Sequence, residues 1–160
     1  MFTIIRSGIF NIYLALVIVI NYFTLVPICF IDKRFIKKMT YVSNKSIVIG
    51  LQLICGIKIK IEGEIPKKPS IIISNHNSTF ECFILATLFD YPKFVVYDAL
   101  LKYPFFGIAL KLGDPLPVNL DNAKDASKSW MANAPGVFRK TILEEKRHMI
   151  IFPGGERTPY

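Results

Sequence analysis

The sequence is short of the residues on which most metal and redox sites are built. It holds three cysteines and two histidines in 160 residues. Cys29, Cys55 and Cys82 are widely separated, and none stands in a C-x-x-C or related ligand spacing. Each lies in apolar sequence, where cysteine behaves as a small hydrophobe. No metal or cofactor is suggested by this pattern. Acids are also scarce, 12 against 20 Lys and Arg, for a net charge of +8. Yet no compact basic run is interleaved with aromatics, which argues against nucleic acid as a partner. Internal repeats and low-complexity tracts are missing. So is a small-residue cleavage site after the N-terminal apolar run, where Asp32-Lys33-Arg34 stands instead, so that run does not read as a removed signal peptide.

What the chain has in abundance is apolar residues. They make up 52% of it, and the mean hydropathy of +0.39 is high for a soluble domain and points to membrane contact. The length fits one domain. Residues 1–45 carry six Lys and Arg against one acid, so the basic excess sits beside the N-terminal apolar run and suits an anionic membrane surface. Gly8 to Ile31 is 24 residues without a charge. A helix of about 20 apolar residues spans a bilayer, so a transmembrane helix is expected over about 8–31. The alternative is a helix lying in the interface, since Asn11, Asn21, Tyr13 and Tyr22 spread polarity along it. Lys33, Arg34, Lys37 and Lys38 flank its C-terminal end, which places the rest of the chain on the cytoplasmic face, that of the inner membrane in a bacterium. Ser46 to Ile57, 12 apolar-rich residues, is too short to span. Residues 1–57 therefore read as a membrane-anchoring segment and residues 58–160 as the working domain.

From residue 57 the pattern changes. Ile57-Lys58-Ile59-Lys60-Ile61 alternates as a half-buried strand does. A turn-rich connector leads to a buried strand over 70–74, a polar turn, and a helix to about Phe89. Strands are expected at 93–97, 116–118 and 149–152, and helical patterns at 123–131 and 135–146. Strands alternating with helices predict an α/β fold with a mostly parallel central sheet and flanking helices.

The polar turn, Asn75-His76-Asn77-Ser78-Thr79-Phe80-Glu81, carries the first histidine at the C-terminal end of a strand, where α/β sheets place their chemistry. His76 fits a general base that takes a proton from a hydroxyl, with a carboxylate to fix its tautomer. Glu81 is placed to supply that carboxylate. It equally fits a capping box, because Ser78-x-x-Glu81 is the S-x-x-E pattern that satisfies free donors at a helix start. The run Phe152-Pro153-Gly154-Gly155-Glu156-Arg157-Thr158 reads either as a plain turn or as an anion site in which glycines allow close approach and Arg157 clamps a phosphate. His148, in Glu144-Glu145-Lys146-Arg147-His148, reads as a solvated surface residue at a helix end.

Asn75-His76-Asn77-Ser78, with the Pro-Gly-Gly loop about eighty residues on, resembles the lysophosphatidate acyltransferase family and its H-x-x-x-x-D box. Gly63-Glu64-Ile65-Pro66, the segment from Leu100 to Gly107, the stretch from Gly113 to Asn122, and Ile151 to Thr158 resemble further family motifs in order and spacing. The resemblance implies that His76 and Glu81 are catalytic. It also implies that Asn75, Ser78, Gly154, Gly155, Glu156, Arg157 and Thr158 bind substrate. His76 would deprotonate the free hydroxyl of 1-acyl-sn-glycerol-3-phosphate (lysophosphatidate), which attacks an acyl thioester of CoA or acyl carrier protein and gives phosphatidate. The partners implied are the lipid bilayer, lysophosphatidate and the acyl carrier. The segment from Leu100 to Leu112 would border an acyl groove, or serve as ordinary core.

The chain departs from the family pattern at four points. Glu81 stands where the family has aspartate, Leu120 where it has a phosphate-binding arginine, and Gly154 where it has glutamate. The family also continues with further sheet beyond the position of Tyr160, so the expected sheet lacks C-terminal strands. Two other readings follow: an impaired or truncated relative that keeps only fold and membrane attachment, and a small non-enzymatic membrane protein in which His76 has no role.

Overall fold

A computed structural model of the chain describes residues 2–31, 34–119 and 134–153. Helices α1 (Phe2–Ile31) and α2 (Arg34–Cys55) form an antiparallel pair. Strand β1 (Ile71–Ile73), helix α3 (Phe80–Leu88) and strand β2 (Lys93–Tyr97) follow. A 3₁₀ turn (Asp98–Lys102) leads to α4 (Phe106–Leu112) and β3 (Leu116–Val118). Helix α5 runs over 134–144, widening into a π-helical turn at Lys140–Glu144, and β4 (Met149–Ile151) closes the described chain.

The four strands are all parallel in the order β1-β4-β2-β3. The expected α/β architecture is therefore present. Met149 and Ile150 of the inner strand β4 are fully buried, as parallel strands with both faces covered require. β1 differs from the buried strand expected over 70–74. It is an edge strand, and Ile71 and Ile73 are exposed on one face. The expected strand over 57–61 is also not formed. Its Ile/Lys alternation has the right period, but period alone supplies no neighbour to pair with. The helical pattern over 123–131 lies outside the described residues.

The α1–α2 pair is welded at three levels. Arg6 Nε donates to the Ile54 carbonyl at 2.6 Å. Phe10 is buried with Ile47 and Leu51. The Tyr13 hydroxyl donates to the Ser46 carbonyl at 2.9 Å. The Tyr13 ring lies so close to Gly50 that any Cβ there would collide with it. α2 packs on α3 and α1 reaches α4, so the pair is continuous with the sheet domain. The Phe10 ring meets that of Phe80, the first residue of α3, edge-on at 5.3 Å. Phe2–Thr24 is long and apolar enough to cross a membrane, and almost none of it is buried in the protein.

At the N-terminal end of the strands one arginine joins three turns. Arg147 donates to the Tyr91 carbonyl at 2.8 Å and to the Gly113 carbonyl at 3.0 Å. It pairs with Asp114 at 2.6 Å and lies 4.3 Å from the centre of the Tyr91 ring. Lys93, nearly buried, bridges Asp114 and Glu145 at 3.0 Å each. His148 sits among these groups at 8% exposure, with its ring 4.8 Å from that of Phe89. That corrects the surface reading of His148. Within the charged run before it, Lys146 has a φ of 53° that turns the chain, so His148 meets the sheet while its neighbours Arg147 and Glu145 pair with one another.

These groups set the pH dependence of stability. Burial raises the Asp114 pKa, but the hydrogen bonds and charges of Lys93 and Arg147 outweigh it, so the value lies below the ordinary 3.8. Burial lowers the His148 pKa below 6.5, and the charge of Asp90 offsets only part of this. In both cases the unfolded chain binds the proton first as pH falls. Stability is therefore expected to be full above pH 6.5, to fall as His148 is forced to charge, and to fall again below 3.8 as Asp114 protonates. In urea unfolding followed across pH, His148→Gln should flatten the first limb and Asp114→Asn the second. An unchanged profile in either variant contradicts the assignment.

Candidate active site

The site begins with strand register. Ile73 of β1 lies beside Ile151 of β4, and the Ser74 amide donates to the Ile151 carbonyl at 3.1 Å, one step past the last paired residue. The residues that follow each strand therefore leave the sheet side by side. From β1 comes His76, and from β4 comes Phe152. Their ring centres are 4.6 Å apart, and Phe94 stacks on Phe152 at 6.4 Å. The imidazole is thus held from one flank by an aromatic wall.

From the other side it is held by charge. Glu81, in the first turn of α3, brings Oε1 to 2.7 Å from His76 Nδ1, and both side chains are about three-quarters buried. An ionised carboxylate only accepts, so Nδ1 carries the proton and Nε2 keeps its lone pair. Glu81 Oε2 accepts the Ser78 amide at 3.1 Å. The Ser78 hydroxyl accepts the Phe80 amide at 3.2 Å. Both contacts expected of Glu81 are therefore present at once. One oxygen closes the helix start as a capping box does, and the other orients the histidine. The extra methylene of glutamate does not take the carboxylate out of reach, because the fold-back of the capping turn absorbs it.

The other expected site residues divide. Ser78 is engaged in the turn, and Asn75 is exposed, its carbonyl accepting the Ser74 hydroxyl at 3.1 Å. Gly154, Gly155, Glu156, Arg157 and Thr158 lie outside the described residues, as does Leu120. At the same edge of the sheet, Asn119 after β3 donates to Asp98 after β2 at 3.3 Å.

A cavity of about 620 Å³ opens beside His76, between the sheet and the layer of α2, α3 and α4. Cys82, Phe83 and Ala86 of α3, Phe94 and Val96 of β2, and Phe106 and Leu110 of α4 line it, so its wall is mostly apolar. At its far end stand Lys37 and Tyr41 of α2 with Asp90. The groove expected along 100–112 is thus supplied only in part by that segment, through Leu100, Phe106, Ala109 and Leu110. Sequence reasoning missed Phe152 as the neighbour of His76 and missed the wall built by α3 and β2. The signal was present in the apolar residues of Phe94-Val95-Val96, which read only as a strand.

A histidine whose Nδ1 is held by a carboxylate, at the C-terminal edge of a parallel sheet and opening on an apolar cavity of this size, has the geometry that a general base beside an apolar substrate requires. The comparison with known proteins is more specific. The acyltransferase family profile matches residues 56–159, and this chain belongs to that family. It is 34% identical over 110 residues to a 1-acyl-sn-glycerol-3-phosphate acyltransferase of Pseudomonas aeruginosa, a match covering 68% of this chain and 41% of that protein. It is 29% identical over 111 residues to an enzyme of the same name from Saccharomyces cerevisiae, covering 68% and 35% respectively. These matches span only 41% and 35% of the relatives' length. No solved structure gives a significant match.

Two substitutions separate the roles of Glu81. Glu81→Gln keeps an oxygen for the Ser78 amide but removes the charge on His76, so stability should hold to within about 0.5 kcal/mol. Glu81→Ala removes both and should cost about 1 kcal/mol, as lost caps do. Equal stability of the two in urea unfolding would contradict the double role.

Proposed function

We propose that the chain transfers an acyl group from a thioester, acyl-CoA or acyl carrier protein, to the free hydroxyl of 1-acyl-sn-glycerol-3-phosphate, giving phosphatidate. The single observation that carries this is the His76–Glu81 pair at 2.7 Å on the rim of an apolar cavity. His76 Nε2 takes the hydroxyl proton as the oxygen attacks the thioester carbon. A carbon–oxygen bond forms, the tetrahedral adduct collapses, and the carbon–sulfur bond breaks. The imidazolium then returns its proton to the leaving thiolate. Glu81 stays ionised throughout and stabilises the imidazolium through Nδ1.

The cavity takes the acyl chain, and its apolar wall excludes water that would otherwise hydrolyse the thioester. Arg157, with Gly154, Gly155, Glu156 and Thr158, is the proposed seat of the phosphate, where a guanidinium can bind two oxygens. Membrane attachment through the N-terminal pair, on the cytoplasmic face, delivers substrates that are themselves amphiphiles. The two relatives named for this reaction support the choice of acceptor.

The test is turnover by the purified chain in detergent with labelled acyl-CoA or acyl carrier protein and 1-acyl-glycerol-3-phosphate. Labelled phosphatidate is expected, with His76→Ala lowering kcat by about a hundredfold to ten-thousandfold. Product that survives the substitution removes His76 as the base. A folded wild-type chain without product from either donor removes the reaction.

A further inference from the structure

Three aromatic rings cross the sheet in one diagonal line. Phe94 of β2 is in register with Ile150 of β4. Phe152 lies two residues beyond Ile150, so it falls on the same face as Phe94, one strand across and two residues further on. The Pro153 that follows favours an extended backbone at Phe152, so the strand's alternation carries past the end of β4. The same step leads on to β1. Ile73 is level with Ile151, which puts Ser74 level with Phe152, and His76 lies two residues beyond Ser74. Strand order therefore sets Phe152 between the other two. Phe94 and Phe152 are stacked 17° from parallel, and Phe152 and His76 are tilted by 35°. Their centres, 6.4 Å and 4.6 Å apart, fall within the range of about 4.5–7 Å that aromatic pairs prefer.

The carboxylate alone leaves the imidazole underdetermined. Glu81 Oε1, 2.7 Å from Nδ1, fixes one atom of the ring. The ring plane can still swing about that contact, because χ2 of histidine is a broad torsion without sharp wells. Such a swing carries Nε2 away from its place, and a general base must hold its nitrogen within hydrogen-bond reach of the hydroxyl. The Phe152 ring supplies the missing constraint. Phe152 has the same freedom in its own χ2, and it lies one residue past the end of β4. Phe94 is better anchored. It stands inside β2, which has β4 on one side and β3 on the other, and its ring stacks on that of Phe152.

We propose that Phe94 is a positioning residue for His76: through the Phe152 ring it sets the plane of the imidazole and so aims Nε2. Phe94 also lines the cavity, so a change in what the cavity binds has to be told apart from a change in aim. That the aimed nitrogen acts as a base rests on the acyl-transfer reading; the aim itself does not.

The test is NMR of the full chain in detergent, labelled in its histidine rings and free of ligand, with His148→Gln to tell the two histidines apart. The ring protons of His76 carry the ring-current shift that Phe152 imposes. Phe94→Leu keeps an apolar side chain but removes the ring, and His76 is expected to lose part of that shift. Phe94→Tyr keeps the ring and is expected to give the wild-type signals. Phe106→Leu removes a different ring from the same cavity, one on α4, and is expected to leave His76 unchanged. Phe94→Met replaces Phe94→Leu if the latter does not fold. In the turnover assay Phe94→Leu is expected to lower kcat about tenfold to a hundredfold, as small errors of orientation do, with Phe94→Tyr near wild type. Unchanged His76 signals in the folded Leu or Met variant overturn the proposal, and so does an equal change in Phe106→Leu. The NMR decides this even in a chain that makes no phosphatidate, so the failure of the proposed reaction and the failure of the positioning role are read separately.

Discussion

The site depends on the pairing of β1 with β4. These strands lie far apart in sequence, and neither carries chemistry itself. Their register puts Ile73 beside Ile151, and the Ser74 amide extends the ladder by one hydrogen bond. His76 and Phe152 then have no choice but to emerge together. Because β1 is an edge strand with one face exposed, its position is fixed mainly by this ladder. The site is thus held by backbone hydrogen bonds to β4, whose Met149 and Ile150 are wholly buried. At the opposite end of the strands, Arg147 and Lys93 fasten the turns that enter β2, β3 and β4, which keeps β4 in place from below.

Glu81 shows how a small departure from a family pattern can be absorbed. A glutamate one methylene longer than the family's aspartate would misplace its carboxylate if it pointed straight at the histidine. Instead the side chain folds back, gives Oε2 to the Ser78 amide, and presents Oε1 to His76. The capping bond fixes the orientation that the bond to His76 requires. Its place in the first turn of α3 also suits a negative charge.

The alternating strands and helices, the positions of β2 and β3, and the His76 turn were legible in the sequence, because each rests on local pattern and on one rare residue type. The burial of His148 was not. Glu144 to Arg147 looks like a solvated helix end, and only the distant partners Lys93 and Asp114 draw it inward. The run over 57–61 failed for the complementary reason, since a perfect alternation forms no strand without a neighbour. The exposure of β1 escaped notice because a run of β-branched residues reads alike at a sheet's edge and at its centre. Phe152 as the wall behind His76 depends wholly on register between remote strands, which no local window contains.

The N-terminal helix pair and the site form one continuous body, from α1 through Phe10 and Phe80 to Glu81 and His76. At the end of that chain of contacts stands the central claim, that His76 offers Nε2 as a base because Glu81 holds Nδ1. Nitrogen-15 NMR of ring-labelled protein at a pH where the imidazole is neutral reads this directly. His148 is the only other histidine, and His148→Gln identifies its signals. The account predicts that His76 is protonated at Nδ1 with Nε2 bare, and that Glu81→Gln disturbs this preference. A His76 that carries its proton on Nε2 in the wild-type protein would contradict it.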